Sequence, residues 1–416
     1  MPDSRQLLDR ALAVPAVKVL ADRLGPGFTP AVLLVGGAVR DLLLASDVRP
    51  VDIDLMVEGP LDAVETALPT GHLRVHDRFS TATLEMEGVR FDIARARRER
   101  YAAPGALPEV QPAGASEDLR RRDFTVNAIA LALTGPDRGK LLSAPGALDD
   151  LDERQLRVLH DRSFIDDPTR LLRLARYAGR LEFGIEHHTL ELARSAVGDG
   201  ALDTVSGTRI GNELRLLAAE QDPVAGMRSL AALRIDRAID PEFGVGPGDS
   251  SVLEAALALL PEGQRRDRLV LAAALAAGVA ASAVDAVALL DRLGFPAEDR
   301  DVVVGAADRA AAVAQRLQRA ARPSEIDAAV GGQSASSELV ALAGALGPAD
   351  AAREWLARLR SMQLLITGAD LIAAGMPEGP AVGWSLAAAR AAMLDGRALD
   401  REAQLAVALG DGREIS

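Results

Sequence analysis

The sequence predicts an α+β fold: a small mixed sheet with helices at the front of the chain, then an all-α remainder. Three observations predict it. Short apolar or alternating runs of strand type follow one another between residues 31 and 96. After Asp166 the apolar residues take up helical spacing and keep it to the end. Alanine is abundant and aromatic residues make up only 3% of the chain, a composition that favours helices over most of the length. At 416 residues there is enough chain for about two to four domains with sizeable cores.

Taken in order, residues 5–24 read as one amphipathic helix. Strands follow at 31–35, 51–57, 73–77, 80–86 and 89–96, with helices at 38–45 and 60–68. The stretch Ala102–Ser116 is rich in Pro, Gly and Ala and reads as a long exposed loop. The helical remainder has breaks near Asp240–Ser251, Arg322–Ser337 and Gly375–Gly383, and there is no convincing internal repeat.

Composition narrows the function classes. The chain has no cysteine, which excludes disulfides, thiolate zinc sites and thiol nucleophiles and fits a reducing compartment. Met1-Pro2-Asp3-Ser4-Arg5 does not read as a signal peptide. The longest apolar run, Leu269–Val284, is too short and too alanine-rich to span a bilayer. We therefore expect a cytoplasmic protein with no membrane partner. A net charge of −13 argues against a generally basic nucleic-acid coat. Residues 90–180 nevertheless hold 17 basic and 14 acidic groups, a local surplus that can meet a phosphate backbone. Nearly all of the basic groups are arginines, whose forks suit phosphates and bases; Lys18 and Lys140 are the only lysines.

The most informative segment is Val51-Asp52-Ile53-Asp54-Leu55. In a strand Asp52 and Asp54 share one face while Ile53 and Leu55 point into a core. Two carboxylates about 7 Å apart on such a face call for positive charge between them. A pair of Mg²⁺ ions supplies it, since Mg²⁺ favours carboxylates together with substrate phosphates. Asp92, in Val89-Arg90-Phe91-Asp92-Ile93, is a candidate third carboxylate from a neighbouring strand, and equally an ordinary exposed acid. Upstream, Val35-Gly36-Gly37-Ala38-Val39-Arg40-Asp41 joins a strand to a helix, a turn that aims bare N–H groups and a helix start at an anion. Arg40, one turn on, is placed to reach phosphates held there. Phosphate holder and metal holder together point to nucleotidyl transfer.

Further on, Arg120-Arg121-Arg122-Asp123 packs three arginines before an apolar helix, and Asp123 can fix the orientation of a neighbouring arginine. In Asp166-Asp167-Pro168-Thr169-Arg170, Asp167 before Pro168 makes a sound helix N-cap. Asp167, Arg170, Arg173 and Arg176 also recur every third residue as a polar stripe. An aspartate only accepts hydrogen bonds and an arginine only donates them. Such a fixed pair suits the amine donor and ring-nitrogen acceptor that cytosine and adenine share, and leaves buried groups unpaired against guanine or uracil.

Together, Gly36-Gly37-Ala38-Val39-Arg40-Asp41, Asp52-Ile53-Asp54, Arg121-Arg122-Asp123-Phe124-Thr125-Val126-Asn127-Ala128 and Asp166-Asp167-Pro168-Thr169-Arg170 resemble the motifs of class II tRNA nucleotidyltransferases and bacterial poly(A) polymerases. Thr208-Arg209-Ile210-Gly211-Asn212-Glu213-Leu214 is similar to the family's fifth motif. The Thr367–Ile372 and Gly379–Gly383 segments are similar to a tail segment of bacterial members. The resemblance implies a polymerase-β-type head at 1–150, a helical neck with the base-reading helix at 151–245, a body at 246–335 and a tRNA-binding tail at 336–416. It implies that Asp52 and Asp54 bind metal, with Asp92 kept beside them as the candidate third catalytic carboxylate. Gly36, Gly37, Arg40 and Arg121 would hold the nucleotide, Asp167 and Arg170 would read its base, and Arg173 and Arg176 would support them. The implied reaction adds C, C and A to the tRNA 3′ end from CTP and ATP with Mg²⁺, releasing pyrophosphate. A CC-adding or A-adding half-enzyme, a poly(A) polymerase and an inactive RNA-binding scaffold remain alternatives. Two departures stand out. Ser143 occupies a segment where members often carry aspartate, and Asp166 stands where many have glutamate. Residues 97–116 resemble the family's flexible loop.

Overall fold

The computed structural model describes residues 4–44, 52–68, 73–76, 81–246 and 248–410. Ala45, Val51, Asp77 and Ser80, at the ends of predicted elements, lie outside the described residues, as do Met1–Asp3 and Pro247. The chain divides into two compact units, Met1–Ser206 and Gly207–Ser416.

The first unit begins with α1 (Ser4–Ala13) and α2 (Pro15–Leu24). One helix was expected over 5–24, but Pro15 has no N–H to continue the ladder and instead starts a second helix. Next come β1 (Val32–Val35), α3 (Gly37–Leu43), β2 (Asp52–Val57), α4 (Asp62–Ala67), β3 (Leu73–His76), β4 (Thr81–Met86) and β5 (Val89–Arg95). Then follow β6 (Arg97–Arg100), β7 (Glu109–Pro112), α5 (Ala115–Arg120), β8 (Ile129–Ala132), β9 (Leu141–Ser143), α6 (Ala147–Asp152) and β10 (Gln155–Leu156). The unit closes with α7 (Ser163–Asp166), α8 (Thr169–Leu181), β11 (Gly184–Ile185) and α9 (His187–Gly198).

Seven strands form one mixed sheet in the order β3-β4-β5-β2-β1-β8-β9. Only β2 and β5 pair in parallel; the other neighbours are antiparallel. The pleat sends Ile53, Leu55, Phe91 and Ile93 into a dry core and leaves Asp52 and Asp54 on the opposite, open face. The stretch read as a loop, 102–116, is partly ordered. Its Glu109–Pro112 segment pairs with Arg97–Arg100 as a hairpin, and α5 begins at Ala115. The reason is backbone pairing, Arg98↔Gln111 and Glu99↔Val110, which a Pro- and Gly-rich composition did not reveal.

The second unit is helical throughout its described residues. It comprises α10 (Gly207–Ala218), α11 (Pro223–Ala232), α12 (Ile235–Ile239), α13 (Asp249–Leu259), α14 (Arg266–Ala280), α15 (Ala286–Arg292) and α16 (Ala297–Leu317). They are followed by α17 (Pro323–Val330), α18 (Ser337–Ala345), α19 (Ala349–Ala357), α20 (Gly368–Ala373), α21 (Pro380–Leu394) and α22 (Arg401–Leu409). The expected break at 322–337 holds α17, which Pro323 starts and Gly331 ends in a left-handed turn. Helix α10 lies tight on the end of α15: a Cβ on Gly207 or Gly211 would sit 2.0 and 2.1 Å from the carbonyl oxygens of Arg292 and Leu293. Among the described residues no helix is long and apolar enough to cross a membrane.

Candidate nucleotidyl-transfer site

The glycine turn is built to bring backbone to charge. Gly36 has φ +69 and ψ −136, a conformation open to glycine and strained for other residues. A Cβ there would lie 3.2 Å from Arg122 Nη1 and 3.7 Å from Asp54 Oδ2. The turn, the Arg122 guanidinium and the β2 carboxylate therefore share one small space.

Across the parallel pair, Asp54 stands directly opposite Asp92 and Asp52 opposite Arg90. Three predicted site carboxylates thus come to one face. Asp54's carboxyl is pushed above its usual range, first by desolvation and then by the neighbouring charges of Asp92 and Asp52. Arg122 and Arg173 pull it partly back. Asp92 Oδ1 accepts from Arg90 Nε and Nη2 and from Thr83 Oγ1, all at 3.1 Å. Among the described residues no set of three or more acidic or imidazole groups converges as a metal cage of its own. The donor set that is present, carboxylate oxygens carrying excess negative charge, suits a hard divalent cation that completes its shell with substrate oxygens.

Arg40, expected to reach toward phosphates, is 1% exposed. Its Nε donates to Asp41 Oδ1 at 2.8 Å and its Nη1 to Asn127 Oδ1 at 2.6 Å. It lies within the site's wall, with its guanidinium carbon 5.8 Å from the Tyr177 ring centre.

Asp123 was expected to orient a neighbouring arginine. It accepts instead from Arg173, 50 residues on, through Nε at 2.9 Å and Nη2 at 2.5 Å. Burial alone would raise the Asp123 pKa. The charge and hydrogen bonds of Arg173, with those of Asn127 and the Phe124 amide, outweigh it and hold the value at about 2. Asp123 is thereby clamped to α8, while Arg121 and Arg122 pair with buried Asp118 and Arg120 stays exposed.

Helix α8 carries the predicted base-reading stripe. It starts at Thr169, two residues after Asp167, because Pro168 occupies the cap position. Asp167 still performs a cap's work by accepting from Thr169 N at 3.1 Å and Thr169 Oγ1 at 2.6 Å. Arg170 is 5% exposed, donating from Nη1 to Ser163 Oγ and from Nη2 to the Arg121 carbonyl, both at 2.7 Å. Arg173 and Arg176 flank Tyr177, at 5.7 and 5.0 Å from its ring centre.

Sequence reasoning missed several organisers of this site. Asp118, buried on α5, receives both Arg121 and Arg122. Glu99 receives Arg97, Arg121 and Tyr101. Tyr177 gathers Arg40, Arg173 and Arg176 around one ring. Only Asp118 had a signal, its spacing of three and four residues before the arginines, which puts both pairs on one helical face.

Residues 32–157 match the poly(A) polymerase head domain family. The A-adding tRNA nucleotidyltransferase of Geobacter sulfurreducens is 38% identical over 252 residues, 60% of this chain and 29% of that one. The chain thus spans less than a third of that relative's length. The CC-adding tRNA nucleotidyltransferase of Deinococcus radiodurans is 36% identical over 375 residues, 88% of this chain and 85% of that protein. The Thermotoga maritima CCA-adding enzyme, solved with tRNA, superposes at a TM-score of 0.76 with 28% identity, covering 99% of this chain and 98% of that one. A polymerase-β-type head, shared motifs and near end-to-end similarity agree: the chain belongs to the class II tRNA nucleotidyltransferases.

Proposed function

We propose that the chain adds C, C and A without a template to the 3′ end of tRNA, from CTP and ATP, in the cytoplasm. The observation that carries this reading is the placement of Asp52, Asp54 and Asp92 on one face of the sheet, across the β2–β5 pair, beside the Gly36 turn. Nucleotidyltransferases of this family generally use divalent metal ions, and Asp52 and Asp54 would hold them here. We take the ion to be Mg²⁺, which supplies charge stabilisation for the attacking 3′-oxygen and the departing pyrophosphate. The Gly36–Gly37 turn would hold the triphosphate, with Arg40 bracing the turn from behind. Asp167 and Arg170 would present the acceptor and donor that match cytosine and adenine. The division into head 1–150, neck 151–245, body 246–335 and tail 336–416 is proposed on the same basis, with the tail gripping tRNA by shape and phosphates.

A second reading is supported by one observation. The relative similar to this chain over 88% of its length is CC-adding. The test is incorporation of labelled CTP and ATP into tRNA lacking its terminal CCA, with Mg²⁺ and with chelator. Metal-dependent addition of C and A supports full CCA synthesis. Addition of C alone supports the second reading, and no incorporation contradicts both.

A further inference from the structure

We infer that Asp118 is the positioning residue of this site, aiming Arg122 at the nucleotide and Arg121 at the base-reading arginine from a single buried carboxylate. The inference rests on the tRNA nucleotidyltransferase reading above and adds to it a residue that sets nucleotide selection without touching substrate.

Asp118 lies on α5, and its side chain is 1% exposed. Five donors converge on its two oxygens. Oδ2 accepts from Arg121 Nε at 3.0 Å, Arg121 Nη2 at 2.8 Å and the Arg97 amide at 3.1 Å. Oδ1 accepts from Arg122 Nε at 3.3 Å and Nη2 at 3.1 Å. Two guanidinium groups are thereby held side by side, where their like charges would otherwise drive them apart. Both are gripped through Nε and Nη2, a two-point hold that fixes the plane of the fork as well as its position.

That grip has a consequence at each end of the site. It leaves Arg122 Nη1 with no hydrogen-bond partner among the described residues, directed to the space shared by Gly36 and Asp54 Oδ2. A triphosphate seated on the glycine turn would meet that group. Arg121 is held completely, since its remaining Nη1 donates to Glu99 Oε1 at 2.8 Å. Its contribution passes through the backbone: the Arg121 carbonyl accepts Arg170 Nη2 at 2.7 Å. Fixing Arg121 thus fixes one of the two anchors of Arg170, the other being Ser163 Oγ. One carboxylate sets both the group facing the phosphates and the anchor of the group facing the base.

The experiment compares the parent chain with Asp118→Asn, which keeps the shape and can satisfy only one fork, reading folding by thermal melt and nucleotide use with CTP and UTP. The expected result is a folded variant whose KM for CTP rises about tenfold and whose preference for CTP over UTP falls about tenfold, with a smaller change in kcat. A folded variant with the parent's KM and preference overturns the inference, as does an equal loss on both nucleotides. Should Asp118→Asn not fold, Glu99→Gln decides, because it loosens Arg121, together with Arg97 and Tyr101, and leaves the Asp118–Arg122 pair in place. Reduced CTP preference there upholds the inference and the parent's preference overturns it. If the parent itself adds nothing to tRNA, the functional reading fails. Equilibrium binding of CTP and UTP to the same proteins then decides the inference: lost preference in Asp118→Asn upholds it, and retained preference overturns it.

Discussion

Asp54 on β2 and Asp92 on β5 are register partners across the one parallel strand pair of the seven-stranded sheet. Parallel neighbours in register present their side chains on the same face, so a polar alternation on β2 is continued sideways on β5. The result is a patch of negative charge on a sheet whose other face is a dry core, and the Asp54 carboxyl is pushed up first by burial and further by the charges of Asp92 and Asp52.

Replacing Asp54 with Asn should therefore abolish turnover while the protein stays folded. Loss of a ligand to a catalytic cation corresponds to several kcal/mol of transition-state stabilisation, or about 10³-fold or more in rate. The check is nucleotide incorporation alongside tRNA binding by gel shift, with binding expected to persist. Relief of charge repulsion between carboxylates should leave the melting temperature equal to or above the parent's.

Asp123 ties acid stability to its clamp on helix α8. Its pKa is depressed from 3.8 to about 2, so its contribution is fully present above pH 4 and is lost as pH falls from there toward 2. The shift corresponds to about 2 kcal/mol. Urea unfolding of the parent and Asp123→Asn between pH 2 and 7 should show a stability gap that is widest near neutrality and narrows in acid. A gap independent of pH would contradict the assignment.

Gly36→Ala tests the turn. The added methyl would meet Arg122 Nη1 at 3.2 Å in a backbone conformation that costs a non-glycine residue about 1–3 kcal/mol. Far-UV circular dichroism should stay at the parent's level, while kcat/KM for CTP falls about tenfold or more.

Gly211→Ala tests packing in the second unit. A Cβ 2.1 Å from the Leu293 carbonyl oxygen cannot be accommodated without parting α10 from α15. The unfolding midpoint should drop by an amount equivalent to about 1–3 kcal/mol. Gly263→Ala, whose Cβ meets nothing within 4 Å, reports the backbone cost of a positive φ without any clash and should lower the midpoint less.

Much of this arrangement was legible from local chemistry. The alternation Asp52-Ile53-Asp54-Leu55 dictates which residues face the core, and the structure buries Ile53 and Leu55. What could not be read was partnership across distance. Asp123 finds Arg173 on another helix, and Arg40 turns inward to Asn127 and Tyr177, because tertiary packing decides which of many arginines meets which acid. The 97–112 hairpin escaped for a similar reason: its stability lies in backbone pairing and in Glu99 receiving Arg121, neither of which leaves a compositional trace. A proline sets the start of α2 at Pro15 and of α8 after Pro168, while the apolar helix expected after Asp123 is a single turn, Thr125–Asn127, that runs into β8.

The most direct test of the central claim is stepwise extension of tRNA substrates lacking the last three, two or one nucleotides of the 3′ end, with labelled CTP, ATP, UTP and GTP offered singly and together with Mg²⁺. The account predicts C, then C, then a single A, with UTP and GTP excluded. Products that ignore tRNA, incorporation of all four nucleotides alike, or no extension at all would contradict it.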